Sequence, residues 1–163
     1  MHAAHPNVGA DVAALALHAL AEVMEKARAN RLTRYQHILL RIGEWIAYAE
    51  SAATLARRAA LVAEGRVNEK ANDRFDAAAM AAISRIFARE AAMKVADDGL
   101  RYVTGAGGMG DAEMPAFEAA LGLSAIHRAQ AGLVADMDYV ADALYGRAKK
   151  HSAEELTEVA LHR

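Results

Sequence analysis

Residues 41–65, RIGEWIAYAESAATLARRAALVAEG, carry the strongest fold signal in the chain. It contains no proline and is rich in strong helix formers, so it predicts an uninterrupted helix. The apolar pattern continues upstream and extends this predicted helix over residues 32–64. Gly65 is the expected stop, because glycine adopts the left-handed conformation without strain. One apolar seam at helical spacing runs along it. The seam comprises Tyr35, Leu39, Ile42, Ile46, Ala49, Ala53, Ala56 and Ala60, with Trp45 and Tyr48 flanking.

Two further helices are predicted on either side of this one. The first covers residues 11–29, with Asp11 as its N-cap or first-turn acid and Asn30 as its stop. The third begins after a polar connector, residues 65–73, with Asn72 or Asp73 as its cap, and runs to about Tyr102 or Val103. A short connector between long helices predicts an antiparallel pair. Residues recurring every seven positions mark the third helix: Ala79, Ile86, Met93 and Leu100.

The remaining chain predicts shorter elements after a glycine-rich break, residues 105–110 (GAGGMG). Pro115 suits the first turn of a fourth helix over residues 115–131, and Gly132 marks a bend. An amphipathic repeat follows, made of Leu133, Met137, Val140 and Leu144. We therefore expect an all-α fold, an up-down antiparallel bundle of four to five helices, three of them long. Residues 1–10 form a loose lead-in, 11–148 a single domain, and 149–163 a polar tail.

The composition excludes several classes of protein. Of 163 residues, 42 are Ala, nine are aromatic and none is Cys, so disulfides, Cys-based metal sites and Cys nucleophiles are ruled out. The net charge of -2 argues against a nucleic-acid partner. Residues 1–9 carry neither the basic nor the apolar region of a signal peptide. We expect a cytoplasmic protein, with peripheral contact to the inner membrane left open.

The glycine-rich break offers a weak set of cofactor-binding candidates, Gly105, Gly107, Gly108 and Gly110. A phosphate-binding loop would need a following Lys-Ser or Lys-Thr pair, and a dinucleotide fingerprint would need a preceding strand. Neither accompanies GAGGMG, so a turn between two helices is the favoured interpretation.

Titratable residues give no catalytic or metal-binding prediction. The seven His residues lack the His-Glu-x-x-His and Glu-x-x-His spacings of helical metal sites, so we expect solvated or hydrogen-bonded imidazoles. Glu44, Glu50 and Glu90 lie within long helices. Each could be a base with a raised pKa, but pairing with a nearby arginine is the favoured interpretation.

A basic corner, Lys26, Arg28, Arg31 and Arg34, lies between the first two helices. Such a corner could contact anionic lipid headgroups, at about 1 kcal/mol per cation. The simpler explanation is that cations stabilise the C-terminal end of a helix. Together with Trp45 and Tyr48, the basic corner supplies the candidate residues for docking to a partner or a membrane.

Residues 41–65 and 85–110 (RIFAREAAMKVADDGLRYVTGAGGMG) resemble the C-terminal helical bundle of the acyl-CoA dehydrogenase family. Residues 5–45 are similar to the opening of the extra C-terminal domain of its very-long-chain branch, on the pattern of Gln36, Leu39, Leu40 and Arg41. The resemblance implies a parent oxidoreductase that uses FAD in fatty-acid β-oxidation. It also implies packing of this domain against the catalytic core of a homo-oligomer, with contact to a membrane.

The chain departs from the family pattern after the glycine-rich break. The family's Arg-Asp pair is missing, and His127 falls near the position of the family's catalytic Glu. We therefore expect a non-catalytic C-terminal domain that binds no FAD by itself. Two alternatives remain open: a fragment of the catalytic bundle that uses residues 105–110 beside the cofactor, and a stand-alone helical interaction module whose exposed Trp45 and Tyr48 drive self-association.

Overall fold

The computed structural model describes residues 2–67, 75–107 and 109–147 of the chain. Within them the fold is all-α, with six helices and no strand, which confirms the predicted helical bundle. Asn72, Asp73, Gly108 and the predicted polar tail lie outside the described residues. The helices are α1 (Ala10–Ala29), α2 (Gln36–Ala63), α3 (Ala77–Gly105), α4 (Met114–Ala120), α5 (Leu123–Arg128) and α6 (Leu133–Leu144).

The three long helices run up, down and up. Pairs of residues in contact show the antiparallel course of α2 and α3: Arg41 lies over the ring of Tyr102, whereas Tyr48 stacks on Phe87. Helix α3 is the central element and packs against α1, α2 and α6. Its side chains at the core are mostly alanines, which allow neighbouring helices to approach closely.

The buried face of α2 is rotated from the predicted seam. Ile42, Ala49, Ala56 and Ala60 are buried as expected, but half of the seam lies at the rim or in solvent. The predicted burial is wrong for four residues of the seam, Tyr35, Leu39, Ile46 and Ala53. Trp45, expected to flank the seam, is 1% exposed and is the largest fully buried side chain of the core. Burial of one indole outweighs several smaller apolar contacts, because apolar stabilisation scales with buried area.

Helix α3 begins later than predicted. Asp76 caps it and accepts a hydrogen bond from the backbone N–H of Ala79 at 2.8 Å, so neither Asn72 nor Asp73 is the cap. The helix also contains the closest approach in the core. A Cβ added to Gly99 would lie 2.2 Å from Cγ2 of Val23, so α1 and α3 meet at a position where only glycine fits.

The predicted fourth helix, residues 115–131, is two helices. Gly122 has φ +72° and separates α4 from α5. On a straight helix Phe117 and Ile126 would point to opposite faces, since nine residues span two and a half turns. The break at Gly122 lets both side chains be buried in the same core.

The lead-in is also less loose than expected. Residues 6–8 form a turn of 3-10 helix, and Val8 is buried. The Ser84 hydroxyl donates to the carbonyl oxygen of Val8 at 2.7 Å, and His5 Nε2 donates to Glu64 Oε1 at 2.8 Å. The segment is therefore anchored to both α2 and α3.

Candidate functional site

The glycine-rich break is a connection between α3 and α4. Gly105 ends α3, Gly107 takes φ +71°, and Gly108 lies outside the described residues. The backbone N–H of Gly110 donates to the Glu113 carboxylate at 3.1 Å, and this hydrogen bond lowers the pKa of Glu113. The Glu113 side chain of the same turn thus occupies a backbone N–H that a bound phosphate would need as a donor. This geometry agrees with the favoured interpretation as a helix-to-helix turn.

Half of the basic corner is neutralised. Lys26 pairs with Glu113 at 3.1 Å, and Arg28 makes two hydrogen bonds to Glu25. No carboxylate pairs with Arg31 or Arg34 among the described residues. Two cations of the four therefore remain for an external anion.

The apolar environment of these two cations supplies a second element of a docking surface. Arg34 donates to the Tyr35 hydroxyl oxygen at 3.1 Å and lies over the Tyr35 ring. Leu40, one turn further along α2, is 69% exposed. Arg31, Arg34, Tyr35 and Leu40 combine positive charge with accessible apolar area at one end of the bundle.

The structure does not bring Trp45 and Tyr48 to an exposed docking patch. Trp45 is buried beside Tyr102, with ring centroids 6.0 Å apart. Its Nε1 has no hydrogen-bond partner in the part of the chain that the structure describes. Trp45 therefore contributes to the core through the apolar volume of its ring and not through a hydrogen bond. Tyr48 is half-buried between the Phe87 ring and the Lys94 ammonium. Because neither ring is fully exposed, the structure removes the reason for expecting these two residues to drive self-association.

The largest unexpected surface lies on α6. None of the described residues of this helix is buried, although it is rich in apolar side chains. Leu133 and Val140 of the predicted stripe are half-buried against the bundle, but Met137 and Leu144 are 44% and 47% exposed. Val134 is 68% exposed, and Tyr145, directly after the helix, is 76% exposed. We call Val134, Met137, Leu144 and Tyr145 the α6 face.

Three charged residues, which we call the ion cluster, hold α6 on the bundle. Arg85 and Arg89, one turn apart on α3, both donate to the carboxylate of Asp136 on α6. Arg89 Nη1 lies 2.5 Å from Asp136 Oδ2, and these two side chains are 9% and 13% exposed. Arg89 also donates to the carbonyl oxygens of Ala129 and Ala131. A buried ion pair is stable only when further hydrogen bonds satisfy its polar atoms, and these contacts supply such hydrogen bonds.

The protonation state of the ion cluster follows from its partners. Burial acts to raise the pKa of Asp136, but hydrogen bonds from Arg85 and Arg89 outweigh it and hold the pKa below its ordinary value of 3.8. A carboxylate kept ionised in this way is a poor general acid or base at neutral pH. The ion cluster is therefore a structural anchor. The ion cluster was not predicted from the sequence, although Arg85 and Arg89 lie one turn apart on the same face and Asp136 interrupts an apolar helix.

Of the three glutamates, Glu44 is in a structural contact, whereas the predicted arginine partner is wrong for Glu50 and Glu90, which form no ion pair among the described residues. The hydrogen bonds from Arg41 and from Lys94 lower the pKa of Glu44, which is the reverse of what a general base requires. His18 donates from Nε2 to the carbonyl oxygen of Ala120 at 2.9 Å. Residues 2–67, 75–107 and 109–147 contain no group of three His, Cys, Asp or Glu side chains that could hold a metal ion.

Comparison of the chain with protein-family models, with curated proteins and with solved structures finds no match. The resemblance to the acyl-CoA dehydrogenases stays a prediction. Across the described residues, every helix is too short or too polar to cross a bilayer.

Proposed function

We propose that this chain is a non-catalytic helical domain that docks on the catalytic core of an acyl-CoA dehydrogenase. The observation that carries the proposal is the α6 face, four large apolar side chains exposed on one side of α6 and directly after it. Large apolar side chains that are exposed near one another on a folded domain mark an interaction site. The family resemblance, which covers residues 4–145, supplies the class of partner, a flavoprotein of fatty-acid β-oxidation in which FAD does the chemistry.

The ion cluster supports the same proposal, because it determines which side of α6 points outward. Asp136 faces α3 and binds both arginines there. Val134 and Tyr145 lie two and nine positions away, which places them on the opposite side of a 3.6-residue helix. A helix fixed in rotation by charged contacts presents a preformed face, and preformed faces lose less entropy on binding.

The docking proposal predicts that the chain binds a very-long-chain acyl-CoA dehydrogenase truncated before its extra C-terminal domain. Replacing Val134 and Tyr145 by serine should weaken this binding at least about tenfold, because each removes apolar area worth about 1.5–3 kcal/mol when buried. Isothermal titration calorimetry measures the affinity. Met24→Ser is the matched control: Met24 is 41% exposed but lies on α1, so the variant should bind as the unmodified chain does.

The same preparation tests the non-catalytic part of the proposal. The chain alone is incubated with FAD, freed of unbound cofactor by gel filtration and then mixed with a long-chain acyl-CoA; the protein fraction should be colourless before and after the acyl-CoA is added. A yellow protein that substrate bleaches would overturn this part and favour the alternative of a catalytic-bundle fragment. Unaltered binding of the Val134→Ser/Tyr145→Ser variant would instead remove the α6 face as the docking site.

The unpaired half of the basic corner supports a second contact, with a membrane surface. Arg31 and Arg34 together supply about 2 kcal/mol of attraction to anionic lipid. Their joint replacement by alanine should therefore lower partition into phosphatidylserine-containing vesicles by roughly thirtyfold. Vesicle sedimentation measures the partition. Lys26→Ala is the control, since Lys26 is already neutralised by Glu113, and an equal loss in that variant would contradict the assignment.

A further inference from the structure

The outer side of α2 carries a second exposed row of residues, distinct from the α6 face. Ile46, Glu50, Arg57 and Leu61 recur at intervals of four, seven and four, so they share one face of the helix. All four are exposed, Ile46 and Leu61 each by 38%. The row lies beside the buried face that contains Trp45 and Ala49, on its solvent side. We call these four residues the α2 row.

The α2 row contains two charges of opposite sign that do not pair within the chain. Glu50 and Arg57 are separated by seven residues, about 10 Å along the helix axis, which is too far for an ion pair. Across residues 2–67, 75–107 and 109–147, neither side chain forms a hydrogen bond or an ion pair. Some other charges on the helices pair over one turn, as Arg41 does with Glu44 and Lys94 with Asp98.

The order of the α2 row is self-complementary. If the sequence is reversed about the point between Ala53 and Thr54, position 50 falls on position 57 and position 46 on position 61. An antiparallel copy of the helix would therefore place Glu50 opposite Arg57, and Ile46 opposite Leu61, twice each. A parallel copy would place like charges opposite each other. Ala53 and Thr54 are small, and helix axes with small contact residues come within about 8 Å.

We propose that α2 pairs with α2 of a second copy of this chain, antiparallel and about a two-fold axis near Ala53 and Thr54. Self-complementarity of one patch is the requirement of a two-fold interface, since residue i contacts j and j contacts i. The two ion pairs set the direction and register, and the two Ile46–Leu61 contacts bury apolar area at either end. A shallow depression borders the α2 row at Glu50, and its other lining residues are Ala47, Ser51, Thr54, Leu55 and Phe87. The inference uses α2 alone and does not depend on the proposed function.

Charge reversal tests the pairing. Analytical ultracentrifugation should show a concentration-dependent dimer of the unmodified chain. Glu50→Arg places Arg opposite Arg, and Arg57→Glu places Glu opposite Glu, so each variant should raise the dimer dissociation constant at least about tenfold. An equimolar mixture of the two variants should dimerise again, because every cross-chain pair in the mixed dimer is of opposite sign. The double variant Glu50→Arg/Arg57→Glu should dimerise for the same reason.

A cross-link tests the position of the axis. The chain has no Cys, so Thr54→Cys introduces a single thiol beside the proposed two-fold axis, where mild oxidation should form a disulfide-linked dimer. Glu118→Cys, on the exposed side of α4, is the matched control and should stay monomeric under the same conditions. Circular dichroism checks that all variants retain their helix content. A monomer at every concentration, or a dimer unaffected by both reversals, would overturn the proposal.

Discussion

Replacing Asp136 by alanine should lower the free energy of unfolding by about 3–5 kcal/mol, the largest effect we expect from one substitution. Arg89 would keep its place at the core with its charge no longer compensated, and Arg85 would lose both of its contacts to the carboxylate. Small domains are stable by only about 5–15 kcal/mol, so the loss is a large fraction of the total. Urea unfolding followed by circular dichroism measures it.

A matched control separates the buried charge from a surface ion pair. Asp142 lies on the same helix and pairs with Arg147 at 3.1 Å, but both side chains are at least half exposed. Asp142→Ala should therefore change the free energy of unfolding by less than about 1 kcal/mol. Equal losses in the two variants would show that the ion cluster contributes no more than a solvated pair.

The stability contributed by Asp136 should also depend on pH. Its pKa in the folded chain is lowered, so its contribution is fully present above the ordinary value of 3.8 and is lost as the pH falls through the folded-state pKa. Asp136→Asn should remove this part of the acid-side slope in a plot of unfolding free energy against pH.

Replacing Gly99 by alanine should also destabilise the chain, because it overpacks the contact between α1 and α3. The added methyl group would meet Val23 at 2.2 Å, and overpacking a tight core costs about 1–3 kcal/mol. Alanine gains about 1 kcal/mol over glycine in a helix interior, so the net loss is up to about 2 kcal/mol. Thermal unfolding should show a fall in Tm of several degrees.

Gly43→Ala provides a control of opposite sign. Gly43 lies within α2, where an added Cβ meets nothing within 4 Å. The same substitution should therefore stabilise the chain by up to about 1 kcal/mol, through helix propensity alone.

In a double variant with Val23→Ala, the loss from Gly99→Ala should shrink by more than about 1 kcal/mol, because the two side chains compete for one space. Additive losses would contradict a clash with Val23.

The helices themselves were predictable, because their signals are local. Alanine-rich composition, apolar spacing and stop residues placed α1 within one residue at its start, and predicted the end of α2 at Gly65. The rotation of α2 was not predictable in this way. The apolar spacing predicts the same burial for Leu39 and for Ile42. The packing of α2 against α3 instead buries the indole of Trp45 and leaves Leu39 half exposed.

The candidate surfaces show the same division. The basic corner is evident in the sequence, but Glu113, which neutralises Lys26, lies 87 residues away along the chain. The amphipathic repeat in α6 was recognised, yet it could not show that the helix would lie at the edge of the bundle with Val134 and Tyr145 uncovered. Glu50 and Arg57 look like ordinary surface charges until the fold shows that both lack partners among the described residues.

Helix propensity, periodicity and glycine conformations act over a few neighbouring residues, so the all-helical class, the three long helices and the turn at the glycine-rich break were predictable from the sequence. The buried face of each helix, the pairing of the charges and the exposure of the remaining apolar side chains were known only once the helices were packed. Those properties depend on contacts between residues far apart in the chain. The meeting of Asp136 with Arg85 and Arg89, and of Gly99 with Val23, are the clearest cases.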